Sequence, residues 1–118
     1  MTAQVTAAAA AAAASVTAAV PTSHVLAVAA ILIAIGTFGV LLRRNLIFML
    51  MALEVALNGA ALAFIGAAAR WESVDGQVFV LFIMVMAAAE VAVGLALILQ
   101  IYRRSSTLDA DVLDTLLG

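Results

Sequence analysis

The chain of 118 residues has no cysteine, one proline, one histidine and charged side chains at only 10% of its positions. Without cysteine the chain forms no disulfide and holds no iron–sulfur cluster bound by thiolates. The single histidine, His24, excludes a haem with two histidine ligands and a metal site built from histidines. No basic patch of the kind that binds nucleic acid is present. The sequence therefore predicts no metal site, no catalytic residue and no redox chemistry within this chain.

Apolar residues make up 68% of the sequence, and the mean hydropathy is +1.29. A soluble globular chain is about half apolar and about a quarter charged, so the solvent for this surface must be lipid. Three apolar runs, at about 25–42, 46–69 and 78–102, each reach the length of about 20 residues that a helix needs to cross a bilayer. Their continuous apolarity lacks the alternation of a membrane β-barrel. We predict an all-α integral membrane protein with three transmembrane helices in an up-down arrangement.

The two ends of the chain differ from this transmembrane domain, which we place at residues 23–104. Residues 1–22 are rich in alanine, which favours helix, and we expect a weakly structured, partly helical extension. A cleaved leader is the alternative, although no Lys or Arg precedes Arg43. Residues 105–118 form an acidic tail that either docks as a short helix or stays loose; its acids are Asp109, Asp111 and Asp114.

Orientation follows from the arginines. The pairs Arg43-Arg44 and Arg103-Arg104 fall on one side of the membrane, whereas Arg70 on the other side is offset by Glu72 and Asp75. Basic residues concentrate in cytoplasmic loops. We therefore predict an N-terminus outside the cell and a cytoplasmic C-terminus.

Two glutamates, Glu54 and Glu90, are the only charges inside the apolar runs. An ionisable residue at a helix centre costs about 2.5–3.5 kcal/mol. At 1.5 Å per residue, Glu54 lies about 15 Å beyond Arg44 and Glu90 about 20 Å before Arg103, so both lie near mid-depth. Asn58 shares the face of Glu54, four residues further on. We predict a proton path through these three residues. The alternative is that each glutamate hydrogen-bonds a neighbouring helix and holds subunits together.

Several motifs in the right order resemble those of the NuoK family, the small three-helix membrane subunit of respiratory complex I. The resemblance spans roughly residues 25–104. It rests on Arg43-Arg44-Asn45-Leu46-Ile47-Phe48-Met49-Leu50, Leu53-Glu54-Val55, Asn58, Asp75-Gly76-Gln77-Val78, Ala87-Ala88-Ala89-Glu90, Val93-Gly94-Leu95-Ala96-Leu97 and Gln100. The alanine-rich beginning departs from the family pattern.

The resemblance implies a non-catalytic subunit in the membrane arm of the proton-pumping NADH:quinone oxidoreductase. Glu54 and Glu90 match acids that contribute to proton transfer in the family, and Arg43 and Arg44 match a cytoplasmic loop pair linked to activity. It also implies that FMN, iron–sulfur clusters and quinone are held by partner subunits. The expected partners are other complex I membrane subunits, including antiporter-like ones, in the lipid of the cell inner (plasma) membrane.

Three other identities are compatible with a short membrane chain. The small C subunit of multisubunit sodium/proton antiporters shares the layout, but it usually has a proline motif before its third helix and lacks the acid in that helix. A small multidrug exporter normally has four spans with its acid in the first. A purely structural assembly subunit would not need two acids at mid-depth. The first alternative and the structural role are the two we carry forward.

Overall fold

The computed structural model of the chain describes residues 1–113, with the side chains of residues 16–19 outside that description. The predicted tail residue Asp114 therefore lies outside the described residues. Within the described range the secondary structure is helical. The helices are α1 (Thr2–Ala19), α2 (Thr22–Leu42), α3 (Leu46–Arg70), α4 (Asp75–Ser105) and α5 (Ala110–Leu113).

Three of these helices, α2, α3 and α4, are long and apolar enough to cross a membrane, with 21, 25 and 31 residues. This confirms the three predicted spans. α2 and α4 each begin three residues before the apolar runs at 25–42 and 78–102. α2 begins at Thr22 because the carbonyl oxygen of Pro21 accepts from the amide of His24 at 2.9 Å. α4 begins at Asp75, whose amide donates to the Ser73 hydroxyl at 3.1 Å, and an acid in the first turn suits the helix dipole.

α2 and α3 pack antiparallel with their backbones in close contact. A Cβ atom added to Gly36 of α2 would lie 2.5 Å from the backbone nitrogen of Ala56 and 2.6 Å from the carbonyl oxygen of Ala52. Further along, a Cβ atom added to Gly59 of α3 would lie 2.8 Å from the carbonyl oxygen of Ala29. Small residues permit this approach, which is how helices associate in lipid, where no hydrophobic driving force acts between them.

α3 is the middle helix, because it packs against α2 on one side and α4 on the other. α2 and α4 make no extensive contact with one another, so they flank α3 on opposite sides. α2, α3 and α4 therefore form a layer one helix thick, a slab with two broad faces.

Apolar side chains cover the outside of this slab. Among the described residues, Ala29 is the only fully buried apolar residue. Large side chains such as Phe38, Phe82 and Met86 are more than half exposed. Exposed apolar surface on this scale is unstable in water. The slab therefore presents its faces to lipid or to neighbouring subunits.

The described parts of the two ends of the chain each contain a helix. The alanine-rich beginning forms one helix, α1, rather than a partly helical segment, and its described side chains are exposed. Of the two predicted states of the acidic tail, the described part adopts the docked one. Its short helix α5 lies beside the loop between α2 and α3, where the amide of Ala110 donates to the carbonyl oxygen of Arg44 at 2.8 Å.

Candidate functional site

α3 and α4 run antiparallel, and two glycines of α4 show which residues lie opposite one another. A Cβ atom added to Gly94 would lie 3.0 Å from Cδ1 of Leu50. Toward the other end of the same seam, a Cβ atom added to Gly76 would meet the Cβ atom of Ala68. From the first pair to the second, the residue numbers rise along α3, from Leu50 to Ala68, by as much as they fall along α4, from Gly94 to Gly76. The register of the two helices is therefore the same at both ends of their contact.

This register places the two glutamates at one level. Glu54 lies four residues after Leu50, and Glu90 lies four residues before Gly94. Four residues are about one helical turn, so each glutamate lies one turn further along the seam from the contact between Leu50 and Gly94. Packed helix axes are about 8–10 Å apart. The two glutamates therefore lie at the same level of the seam, whereas helix rise counted from the arginine pairs places them about 5 Å apart.

Burial leaves one of the carboxyl oxygens without a hydrogen-bond partner. Both glutamates are half-buried. The Oε1 atom of Glu54 is buried and has no hydrogen-bond partner among the described residues. A buried polar atom without a partner costs about 1–3 kcal/mol, so most such atoms in proteins are paired. The described part of the chain thus leaves this oxygen of Glu54 without a hydrogen bond.

Asn58, the third predicted member of the proton path, lies one turn beyond Glu54 on α3. Its side chain is exposed and makes no hydrogen bond within the described part of the chain. The structure therefore places Asn58 near Glu54 along the helix but does not join the two side chains directly. Its amide is available to a group outside this chain.

A polar residue of α2 that sequence reasoning missed lies at the same level. Gly36 packs between Ala52 and Ala56, which bracket Glu54 in the sequence. Its neighbour Thr37 is exposed, and its hydroxyl donates to the carbonyl oxygen of Ile33 at 2.7 Å. The signal for Thr37 was present in the sequence, since no other polar side chain lies between His24 and Arg43.

The predicted loop residues Arg43 and Arg44 have different surroundings. The guanidinium of Arg43 lies 5.5 Å from the centre of the Phe48 ring, within range of a cation–π contact. Arg44 forms an ion pair with Asp111 at 2.7 Å. The sequence analysis named Asp111 as an acid of the tail but not its pairing with Arg44, because the contact is made across more than sixty residues of chain.

Comparison with known proteins decides the family. Residues 24–118 match the model of the family described as NADH-ubiquinone/plastoquinone oxidoreductase chain 4L. The chain belongs to this family. The match begins at the start of α2, so the alanine-rich helix α1 lies outside the part that is shared with the chain 4L family.

Several relatives of this chain 4L family member are named NADH-quinone oxidoreductase subunit K. The protein of Acidiphilium cryptum (strain JF-5) is 59% identical over 101 residues, which cover 86% of this chain and 99% of the relative. That of Nitrosospira multiformis is 54% identical with the same coverage. That of Pseudomonas fluorescens (strain SBW25) is 51% identical over 85% of this chain and 98% of the relative.

Proposed function

We propose that this chain is the subunit K component of a proton-pumping NADH:quinone oxidoreductase, complex I, embedded in the plasma membrane. The names of its relatives support this identity over the small C subunit of a sodium/proton antiporter. In this proposal the chain is a non-catalytic subunit. NADH oxidation and quinone reduction, with their FMN and iron–sulfur clusters, take place in partner subunits.

Within this complex, Glu54 and Glu90 pass protons through the membrane arm. The observation that carries the proposal is their position at one level of the seam between α3 and α4, with the buried Oε1 atom of Glu54 unpaired. The unpaired oxygen of Glu54 is free to hydrogen-bond water or a side chain of a neighbouring subunit. Such a contact is what a residue needs in order to exchange protons with its neighbours.

Asn58 and water extend this path toward the broad face of the slab. There they meet acids or lysines of antiporter-like subunits, which are the partners that we propose. The exposure of Asn58 at one turn from Glu54 supports this role. Arg43 and Arg44 lie at the cytoplasmic end, because basic residues favour that side. The chain accordingly has its N-terminus outside and its C-terminus in the cytoplasm.

Replacing Glu54 by Gln in the assembled complex tests the proposal. Gln keeps the size of the side chain but cannot carry a proton through repeated turnover. We expect a strong loss of proton pumping and of the quinone reduction coupled to it, measured in proteoliposomes. Subunit content and NADH oxidation by an artificial acceptor should remain intact. The matched control, Glu72→Gln, makes the same chemical change at an exposed loop position and should leave pumping unchanged.

A structural role for the two acids predicts the opposite pattern. If Glu54 only holds helices together, Gln can still hydrogen-bond, and an assembled Glu54→Gln complex should pump normally. Normal pumping with intact assembly would therefore favour the structural role and refute the proton path.

A further inference from the structure

After α4 ends, the chain turns back toward the beginning of α3. α4 ends at Ser105, and Ser106 adopts a left-handed backbone with φ of 55°, which turns the chain back. The following residues run antiparallel to the loop between α2 and α3, with Asp109 opposite Asn45. We name residues 106–113 the strap.

Backbone hydrogen bonds hold the strap in place. The amide of Leu46 donates to the carbonyl oxygen of Leu108 at 3.0 Å, and the amide of Ala110 donates to the carbonyl oxygen of Arg44 at 2.8 Å. The ion pair between Arg44 and Asp111 is added to these, but its side chains are 74% and 59% exposed. Exposed ion pairs contribute little to stability. The two backbone bonds are therefore the main attachment.

The strap also supplies a hydrogen-bond acceptor to the N-terminus of α3. The first amides of any helix lack partners within the helix. In α3, the side-chain oxygen of Asn45 accepts from the amides of Ile47 and Phe48 at 3.0 and 3.4 Å. The carbonyl oxygen of Leu108 in the strap accepts from the amide of Leu46. Detaching the strap would leave this first amide without its partner in the chain.

The strap closes the second end of the antiparallel pair α3–α4, since the short loop at residues 71–74 already joins the first. Gly94 and Gly76 pack against α3 and set the register, and a slide by one residue would move the helix by about 1.5 Å. We propose that the strap is a positioning element that fixes α3 against α4 and so keeps Glu54 level with Glu90. Its effect on pumping rests on the proposed proton-transfer function, whereas its existence and its attachment do not.

A disulfide test asks whether the strap is attached in the assembled complex. Asn45 and Asp109 are opposite residues flanked by the two backbone bonds, an arrangement with Cα atoms about 4.5 Å apart. Disulfides require about 4.4–6.8 Å. We expect Asn45→Cys with Asp109→Cys to form a disulfide, detected by mass spectrometry of the linked peptide, in a chain that has no cysteine of its own. Asn45→Cys with Thr107→Cys, two residues out of register, is the control and should link much more slowly.

A proline test removes one attachment. Ala110 is the first residue of α5, a position that tolerates proline, but proline has no amide to donate to Arg44. Introduced into the double-cysteine chain, Ala110→Pro should slow disulfide formation about fivefold, the factor expected for the loss of one backbone hydrogen bond. Ala110→Ser keeps the amide and should not slow it.

Pumping shows whether attachment matters. In assembled complexes, Ala110→Pro should lower proton pumping while NADH oxidation by an artificial acceptor is unchanged. Formation of the 45–109 disulfide in the proline variant should restore pumping, a rescue that general damage to the fold would not allow.

Each outcome bears on the proposal separately from the proton path. Absence of the disulfide in a fully assembled complex would show that the strap is not attached. A disulfide that forms readily, together with normal pumping by Ala110→Pro, would show that the strap is attached but positions nothing. If the proposed proton path is wrong, the Glu54→Gln complex will pump normally, whatever the strap variants do.

Discussion

The tightest contact between α2 and α3 gives a quantitative prediction for Gly36→Ala. The added Cβ atom would lie 2.5 Å from the backbone nitrogen of Ala56, whereas ordinary contacts begin near 3.4 Å. The backbone of α3 cannot rotate away as a side chain can. α2 must therefore retreat by about 0.9 Å, the difference between the two distances, at the level of Glu54.

This displacement has a cost that can be estimated from its parts. Forcing an extra methyl group into a packed interface typically costs about 1–3 kcal/mol. The upper end applies to Gly36, since the neighbouring atoms include backbone atoms of both Ala52 and Ala56. Alanine recovers up to about 1 kcal/mol through its better helix propensity. We expect a net loss of about 2 kcal/mol in the stability of the α2–α3 contact, or a factor of about 30.

Thermal release of the subunit from the purified complex, followed on native gels, measures this loss. Gly94→Ala is the matched control, because its Cβ atom would first meet Cδ1 of Leu50, the movable end of a flexible side chain, at 3.0 Å. We expect Gly94→Ala to change the release temperature little and Gly36→Ala to lower it clearly. Equal release temperatures for the two variants would refute the argument that backbone contact makes Gly36 irreplaceable.

Three further predictions concern single side chains. Asn45→Ala should lower the stability of α3 by about 1 kcal/mol, measured by the same thermal release, because two amides lose the oxygen that caps them. Phe79→Leu should lower the stability by about 0.5–1.5 kcal/mol beyond the loss due to reduced buried area, because it removes a ring that stacks on Phe64 with 5.1 Å between ring centres. Phe82→Leu on the exposed face is its control. Asn58→Leu should slow pumping in proteoliposomes without changing the release temperature, because the Asn58 side chain makes no hydrogen bond within the described chain; a lowered release temperature would instead indicate a packing role.

The sequence was sufficient to predict the features that depend on local composition. Runs of apolar residues predicted three spans. The arginine pair after Leu42 marked the end of α2, whereas α4 continues through Arg103 and Arg104 to Ser105. Helix rise alone puts Glu54 and Glu90 near mid-depth, because a helix has a fixed length per residue, and this depth stays a prediction.

Features that depend on contacts between distant residues could not be predicted in the same way. The register that brings Glu54 level with Glu90 depends on how Gly94 packs against Leu50, and no local pattern encodes that pairing. The attachment of the acidic tail depends on backbone amides, which every residue except proline possesses, so residue types carry no signal for it. Only the charge of Asp111 pointed to a basic partner, and five arginines were available.

The slab of α2, α3 and α4, one helix thick, has a practical consequence for studying the two acids. A single layer of helices cannot shield its polar groups from both sides. The polypeptides that contact its two faces therefore determine how much water reaches these groups. Spectra recorded on the purified chain in detergent micelles would report carboxyl groups in a layer whose faces contact detergent instead of neighbouring subunits. The natural unit for titration or vibrational spectroscopy is therefore this chain together with its flanking neighbours, reconstituted in bilayers.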